Sequence, residues 1–278
     1  MVVGDISKAV RRVDAVAKCE GTAKYLPDYD FGDCLWGRLV RSSIPRGKIL
    51  AIHLPPMPEG YRFITYRDIP EGGHNWLHMI ATDWKCFAEN EVRYVGETIG
   101  IMVGPDRTTV ENLKNQVKID YEEQTPAITI DEGLECKGGA FLNNDNIHCR
   151  LTLNVGDMDK AFENAAKVVT ETIETGFQEH IYLETNGACC IPKDDHFVVY
   201  SSAQCPFYIA KSISPLLNIT PDKVIVRQTT TGGAFGGKEH FPDVVCGPLL
   251  KNLQNLLNLL FRKHPFSRKH LCKNLQKL

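Results

Sequence analysis

Along the first half of the chain, apolar and polar positions alternate in short runs. Leu35-Trp-Gly-Arg-Leu-Val-Arg41 reads as a half-buried strand and Lys48-Ile-Leu-Ala-Ile-His53 as a second. Thr98-Ile-Gly-Ile-Met-Val103 is apolar throughout, the pattern of a strand covered on both faces. Thr108 and Glu111 have the spacing of a capping box, and Val110, Leu113 and Val117 follow at helical intervals, so a helix is expected there before Lys118-Ile-Asp-Tyr121 returns to strand. Pro- and Gly-rich punctuation separates these runs. The order is α+β, not doubly wound.

Beyond this block the pattern pauses and restarts. Residues 127 to 148, with Lys137-Gly-Gly and Asn143-Asn-Asp-Asn, have the turn-rich composition of a linker. Asp157 then stands where it can cap a short helix whose Ala161, Phe162 and Ala165 share a face. Val168 to Ile173, Ile181 to Glu184 and Phe197 to Ser202 read as strands, a helix is expected to open at Pro206, and Lys223 to Gln228 forms a strand running into the loop Thr231-Gly-Gly-Ala-Phe-Gly-Gly-Lys-Glu239. The organisation expected is therefore a polar arm over 1–18 carrying Arg11-Arg12, a first unit over 19–126, a linker over 127–144, a second unit over 145–250 and a tail over 251–278.

Composition narrows the function classes. With 278 residues and 43% hydrophobic content the chain can supply about two buried cores. Its 32 basic and 34 acidic side chains leave a net charge of −2, which gives no electrostatic footprint for nucleic acid. No apolar run is long enough to span a bilayer, and Met1-Val-Val-Gly-Asp-Ile-Ser-Lys lacks the charged and apolar regions of a signal peptide, so no membrane partner and a cytoplasmic location are expected. The ten cysteines have irregular spacing, with no pair at the intervals that serve structural zinc or ferredoxin-type clusters. Reduced thiols are expected, Cys189-Cys190 and Cys205 read as small packing residues, and any electron relay would sit on another chain.

The last 28 residues differ from all that precedes them: seven Lys or Arg, no Asp or Glu, and no Gly, Ala, Val, Ile or Thr. They read either as a basic partner-binding tail or, as expected here, as the product of a reading frame lost after about Leu250.

The glycine loop carries the strongest chemical signal. Its frame G-x-x-x-x-G-K follows a strand, as a phosphate-binding P-loop does, but Glu239 occupies the place where Ser or Thr would reach Mg²⁺. Pro242 also opposes the helix whose amides would hold the phosphates. What paired glycines do offer is bare backbone, amide donors and unusual φ values close to a large anionic ligand. His180 and Glu184 are spaced by four, yet a metal site is not expected, since Ile181 and Leu183 alternate as in a strand and no third ligand is near in sequence.

The loop is the last of seven segments in order: Gly21-Thr-Ala-Lys-Tyr-Leu-Pro-Asp28, Val40-Arg-Ser-Ser43, Val92-Arg-Tyr-Val-Gly-Glu97, Val117-Lys-Ile-Asp-Tyr-Glu122, Gln178-Glu-His-Ile-Tyr-Leu-Glu184, Ser201-Ser-Ala-Gln204 and Thr231 to Glu239. Together they resemble the molybdenum-binding large subunits of the xanthine dehydrogenase and aldehyde oxidase family over roughly residues 10 to 245. The resemblance implies an α/β hammerhead domain over 19–126 and the first, incomplete part of a molybdopterin-binding α+β domain from about residue 145. It implies hydroxylation of a purine, another N-heterocycle or an aldehyde with oxygen derived from water, on molybdenum held through its pterin with no direct protein ligand. FAD and 2Fe-2S clusters would belong to other chains, the FAD-binding and iron–sulfur subunits.

Residue by residue, Gln204 matches the glutamine whose amide donates to a molybdenum oxygen, and Phe235 and Gly236 match loop positions at the cofactor. Glu239 matches a carboxylate that orients purines, which tilts the expected substrate toward an N-heterocycle, although Ala234 stands where glycine is commoner. The family's general-base glutamate lies far beyond the residues matched here, so no catalytic residue is assigned and negligible activity is expected of this chain by itself. Two other readings stay open: a non-catalytic interaction module using the first unit and the basic tail, and the P-loop nucleotide binder.

Overall fold

A computed structural model describes residues 7–78, 82–140 and 144–239. Pro242 and the basic tail lie outside the described residues. In chain order the regular elements are α1 (Ala15–Cys19), β1 (Trp36–Arg41), β2 (Gly47–His53), β3 (Arg62–Ile64), β4 (Trp76–Leu77), β5 (Trp84–Lys85), β6 (Glu91–Val92), β7 (Thr98–Gly104), α2 (Arg107–Gln116), β8 (Lys118–Glu123), α3 (Ile130–Leu134), α4 (Met158–Glu163), β9 (Ala188–Pro192), β10 (Phe197–Ser201), α5 (Pro206–Leu216) and β11 (Val224–Gln228). The α+β class and the strands read from periodicity at β1, β2, β7, β8, β10 and β11 are all present.

The first unit is built on two antiparallel sheets, β1-β7-β3 and β6-β2-β8, with a short β4-β5 pair. Its apolar run is β7, central in its sheet and buried at every position, as a strand covered on both faces must be. Helix α2 lays Val110 and Leu113 onto Val40, Phe63 and Met102. The cap of α2 differs from expectation. The helix begins at Arg107, Asp106 accepts from the Thr109 amide at 2.8 Å, and Thr108 lies inside the first turn. Glu111, free of capping, bonds Arg38 and Lys114 instead.

The stretch expected as a linker contains α3, capped reciprocally by Thr129 and Glu132. Helix α4 forms on its Asp157 cap, but Phe162 and its neighbours on that helix are exposed. Two strand expectations fail. Val168 to Ile173 pairs with no strand among the described residues and stays exposed. Ile181 to Glu184 is irregular because Ile181 takes φ 42°, which no strand tolerates. In both, the alternation was real but no sheet edge among the described residues receives it. The strand β9, carrying Cys189 and Cys190, was not expected; it pairs antiparallel with β10, placing Cys190 against the core. The cysteines among the described residues are free thiols.

In the second unit β10 is central, antiparallel to β9 and parallel to β11, with α5 as the crossover. Pro206 opens α5, where its fixed φ and missing N–H cost nothing. Ile209, Ser212, Ile213 and Leu216 then recur at helical spacing on its buried face. That face does not stop at the unit's edge. Ile213, Leu216, Phe197 and Val199 share one cluster with Ile64, Leu77, Phe87, Ile101 and Val103 of the first unit. Polar contacts follow the same seam: the His78 amide donates to Ser212 Oγ at 2.9 Å and the His74 amide to the Pro215 carbonyl at 3.0 Å.

Candidate functional site

The site forms where the parallel strands β10 and β11 end. Past Ser201 the chain runs through Ser202 and Ala203 to Gln204 before α5 begins, and past Gln228 it runs through Thr229 to Thr231 into the glycine loop. Carboxyl ends of neighbouring parallel strands are where open α/β arrangements place ligands. Here the two exits are laced together. Thr229 N donates to Ser201 O at 2.9 Å, Gln228 Nε2 to Ala203 O at 2.7 Å and Thr231 Oγ1 to Ser202 O at 3.2 Å.

Gln204 is held by two further bonds, its amide donating to Lys238 O at 2.7 Å and its side-chain Oε1 accepting from Lys238 N at 3.1 Å. The second bond fixes which end of the side-chain amide is spent. Its Nε2 has no acceptor among the described residues, so a donor is left at the rim of the loop.

The loop is a sharp backbone turn with Gly233 at φ 93°, Phe235 at φ 51° and Gly236 at φ 92°. Phe235 is the exception, because a left-handed conformation costs a side-chain-bearing residue about 1–2 kcal/mol. The Gly237 amide closes the turn on Ala234 O at 2.7 Å, while the amides of Gly233, Ala234, Phe235 and Gly236 find no acceptor among the described residues. The Phe235 ring is 77% exposed. Two other glycines are required by close approach: a Cβ on Gly232 would lie 2.5 Å from Glu184 Cβ, and one on Gly237 would lie 2.6 Å from Tyr182 Cε1.

Lys238 behaves unlike a surface lysine. It is 0% exposed, and its Nζ lies 2.8 Å from Glu184 Oε2, 3.4 Å from Ser202 Oγ and 5.0 Å from the centre of the Tyr182 ring. Glu184 Oε2 also accepts from Gly232 N at 2.7 Å, Glu184 Oε1 from Leu26 N at 3.4 Å, and the Glu184 amide donates to Gly232 O at 3.1 Å. An ammonium enclosed in this way has no charge to offer a phosphate, which removes the P-loop reading on physical grounds.

Sequence reasoning missed this pair, since the partners stand 54 residues apart. The strand invoked in setting Glu184 aside as a metal ligand is absent. The Glu184 carboxylate is spent on the loop, and no group of His, Cys, Asp or Glu among the described residues could hold a metal ion. Glu239 is half-buried at the end of the loop. Burial, and after it the Glu239 carboxylate, push the Cys205 thiol up.

Residues 20–125 match the description "aldehyde oxidase and xanthine dehydrogenase, a/b hammerhead domain", and residues 141–254 match "molybdopterin cofactor-binding domain". The chain belongs to the xanthine dehydrogenase and aldehyde oxidase family. Among its relatives, the nicotinate dehydrogenase large molybdopterin subunit of Eubacterium barkeri is 31% identical over 231 residues, covering 82% of this chain and 54% of that protein. A xanthine dehydrogenase of Blastobotrys adeninivorans is 32% identical over 242 residues, 84% of this chain and 17% of that one. The chain thus spans about half of the first relative and about a sixth of the second. Quinoline 2-oxidoreductase from Pseudomonas putida 86 shares the fold with a TM-score of 0.73 at 21% identity, over 89% of this chain and 33% of that structure. In this family member, as in the sequence reading, hammerhead and cofactor-domain segments follow one another; the shared cluster between them was not legible beforehand.

Proposed function

We infer that this chain supplies one wall of the molybdenum–molybdopterin site of a hydroxylase acting on a purine or other N-heterocycle, or on an aldehyde. The observation that carries this reading is the set of donors with no acceptor among the described residues, Gln204 Nε2 and the amides of Gly233 to Gly236, in the segments that follow β10 and β11. Preorganised N–H donors that need no rearrangement suit anionic oxygens of a bound cofactor, and the bare loop backbone lets a bulky group approach. On this reading Gln204, Phe235 and Gly236 hold the cofactor and Glu239 orients the substrate. The bound group supplies a Lewis-acidic, two-electron-accepting metal for hydroxylating an electron-poor carbon with water-derived oxygen. The protein's own part is to aim donors and fix the substrate.

The domain limits that go with this reading are 19–126 for the hammerhead unit, 127–144 for the linker and 145–250 for the cofactor-binding unit. The hydroxylase would work with FAD-binding and iron–sulfur subunits, in the cytoplasm, and would be inactive as this chain by itself. Exposed Leu151, Leu153, Ile173, Phe177 and Leu183 support the need for further polypeptide, because so many large apolar side chains in one stretch mark a surface that is covered in an assembly. The test is affinity purification of the tagged chain from its own cells, with molybdenum, flavin and iron measured on the recovered assembly. Xanthine, nicotinate and an aromatic aldehyde are then offered in ¹⁸O-water. Molybdenum in the assembly, label in the product and loss of turnover in Gln204→Ala are expected, with none of this from the isolated chain. An assembly without molybdenum, or Gln204→Ala turning over as fast as the parent, overturns the reading.

A further inference from the structure

We propose that Glu184 is the positioning residue for the donor set, a single carboxylate that ties both ends of the glycine loop and, through Lys238, sets the orientation of Gln204. The inference deepens the cofactor-site reading and rests on it for its purpose, though not for its test. One oxygen of Glu184 takes the Gly232 amide at 2.7 Å and the Lys238 ammonium at 2.8 Å; these residues are the first and last of the loop's glycine-lysine frame. Lys238 in turn pairs with Gln204 through its own N–H and carbonyl. The other oxygen accepts from Leu26 N, so the clamp is anchored on a segment near the start of the hammerhead unit. Glu184 thus reaches the Gln204 side chain through one residue, Lys238, whose ammonium meets Glu184 and whose N–H meets Gln204 Oε1.

The chemistry explains why a charge is used. A lysine with 0% exposure is strongly unfavourable unless a carboxylate meets it, and here Glu184, Ser202 Oγ and the Tyr182 ring complete its surroundings. The enclosed pair neutralises the only side-chain cation in the loop, which leaves backbone N–H groups and the neutral Gln204 amide as its donors to a ligand. Phe235 can be kept at φ 51° only because both loop ends are fixed. Releasing one end lets that strain relax.

The experiment is hydrogen–deuterium exchange on the full 278-residue chain, read on peptides covering 231–239, with β10, β11 and β7 as internal references. Glu184→Gln keeps the shape and removes the charge; within those peptides the hydrogen-bonded amides of Gly232, Gly237 and Lys238 are expected to exchange about tenfold faster or more, with the reference strands within about twofold. Because that variant leaves Lys238 uncompensated, the double variant Glu184→Gln/Lys238→Met is run beside it, and it should keep strand protection while the loop stays fast. Glu184→Asp restores the charge and should recover part of the loop's protection. Parental loop exchange in the single or double variant overturns the proposal. So does an equal loss across loop and strands in both, or an Asp variant no better protected than Gln. No cofactor enters the measurement, so a negative result leaves the molybdenum reading standing, and an assembly lacking molybdenum leaves the clamp standing.

Discussion

Truncating Ile213 tests the shared core. The residue is 0% exposed on α5 and lies in the cluster that joins Phe197 and Val199 to Leu77, Phe87 and Ile101. Ile213→Ala removes buried methyl and methylene groups from a site enclosed on every side, and such deletions cost about 2–5 kcal/mol, transfer and cavity terms together. With a urea dependence of about 2–3 kcal/mol per molar, the unfolding midpoint should fall by roughly 1–2 M. The three tryptophans, Trp36, Trp76 and Trp84, all lie in the first unit, more than 120 residues before the substitution. If the two units share one core, tryptophan fluorescence should shift by the same amount as circular dichroism at 222 nm. A fluorescence midpoint left in place while the dichroism transition splits would refute the coupling and return the molecule to two separable units.

Three further outcomes follow from local chemistry. Asp106→Ala should lower the thermal midpoint because the cap on α2 is lost, whereas Thr108→Ala, exposed within the first turn, should leave it within error; the reverse order in paired melts would reinstate the capping box. Glu97 is 4% exposed, and burial raises its carboxyl despite the Arg93 amide and the Arg93 and Lys85 charges, with Glu91 adding repulsion. The folded state therefore holds this proton to higher pH than the unfolded chain, so stability falls as pH rises from the ordinary carboxylate range through the raised value; Glu97→Gln should remove that fall, and melts from pH 4 to 8 that stay parallel for both proteins would contradict it. Burial pushes the Cys86 thiol up to about 12, leaving about one thiolate in 10⁴ at pH 8, so iodoacetamide should mark exposed Cys19 and Cys149 at once and Cys86 only after unfolding, as peptide mapping would show.

Elements whose partners lie nearby in sequence, or whose burial is written in composition, were legible. The all-apolar β7, the Pro206 start of α5 and the β11 run into the glycines needed no tertiary information, because period and punctuation decide them. Val168 to Ile173 and Ile181 to Glu184 have strand-like alternation but no paired neighbour among the described residues, and a strand is defined by its neighbour as much as by its own period. The cap on α2 was displaced by two residues for a smaller reason: Asp106 and Thr108 are both competent caps, and the turn after β7 brings Asp106 into place first.

Lys238 shows where sequence reasoning about the site ends. Its neighbours in sequence made it either a phosphate lysine or a bystander beside Glu239, and both readings concern an exposed side chain. Burial turns the residue around: the ammonium points inward to Glu184, and its backbone points outward to Gln204. A motif written as side chains thus operates through its main chain. The glycines permit the approach, the buried pair fixes it, and the side chain left with a donor that no described residue accepts is an amide fixed 34 residues earlier. Three separated segments, 181–184, 201–204 and 231–239, must therefore be correct together for any one to matter. That mutual dependence is why substitution at Glu184, which touches no ligand in this scheme, should be felt at Gln204.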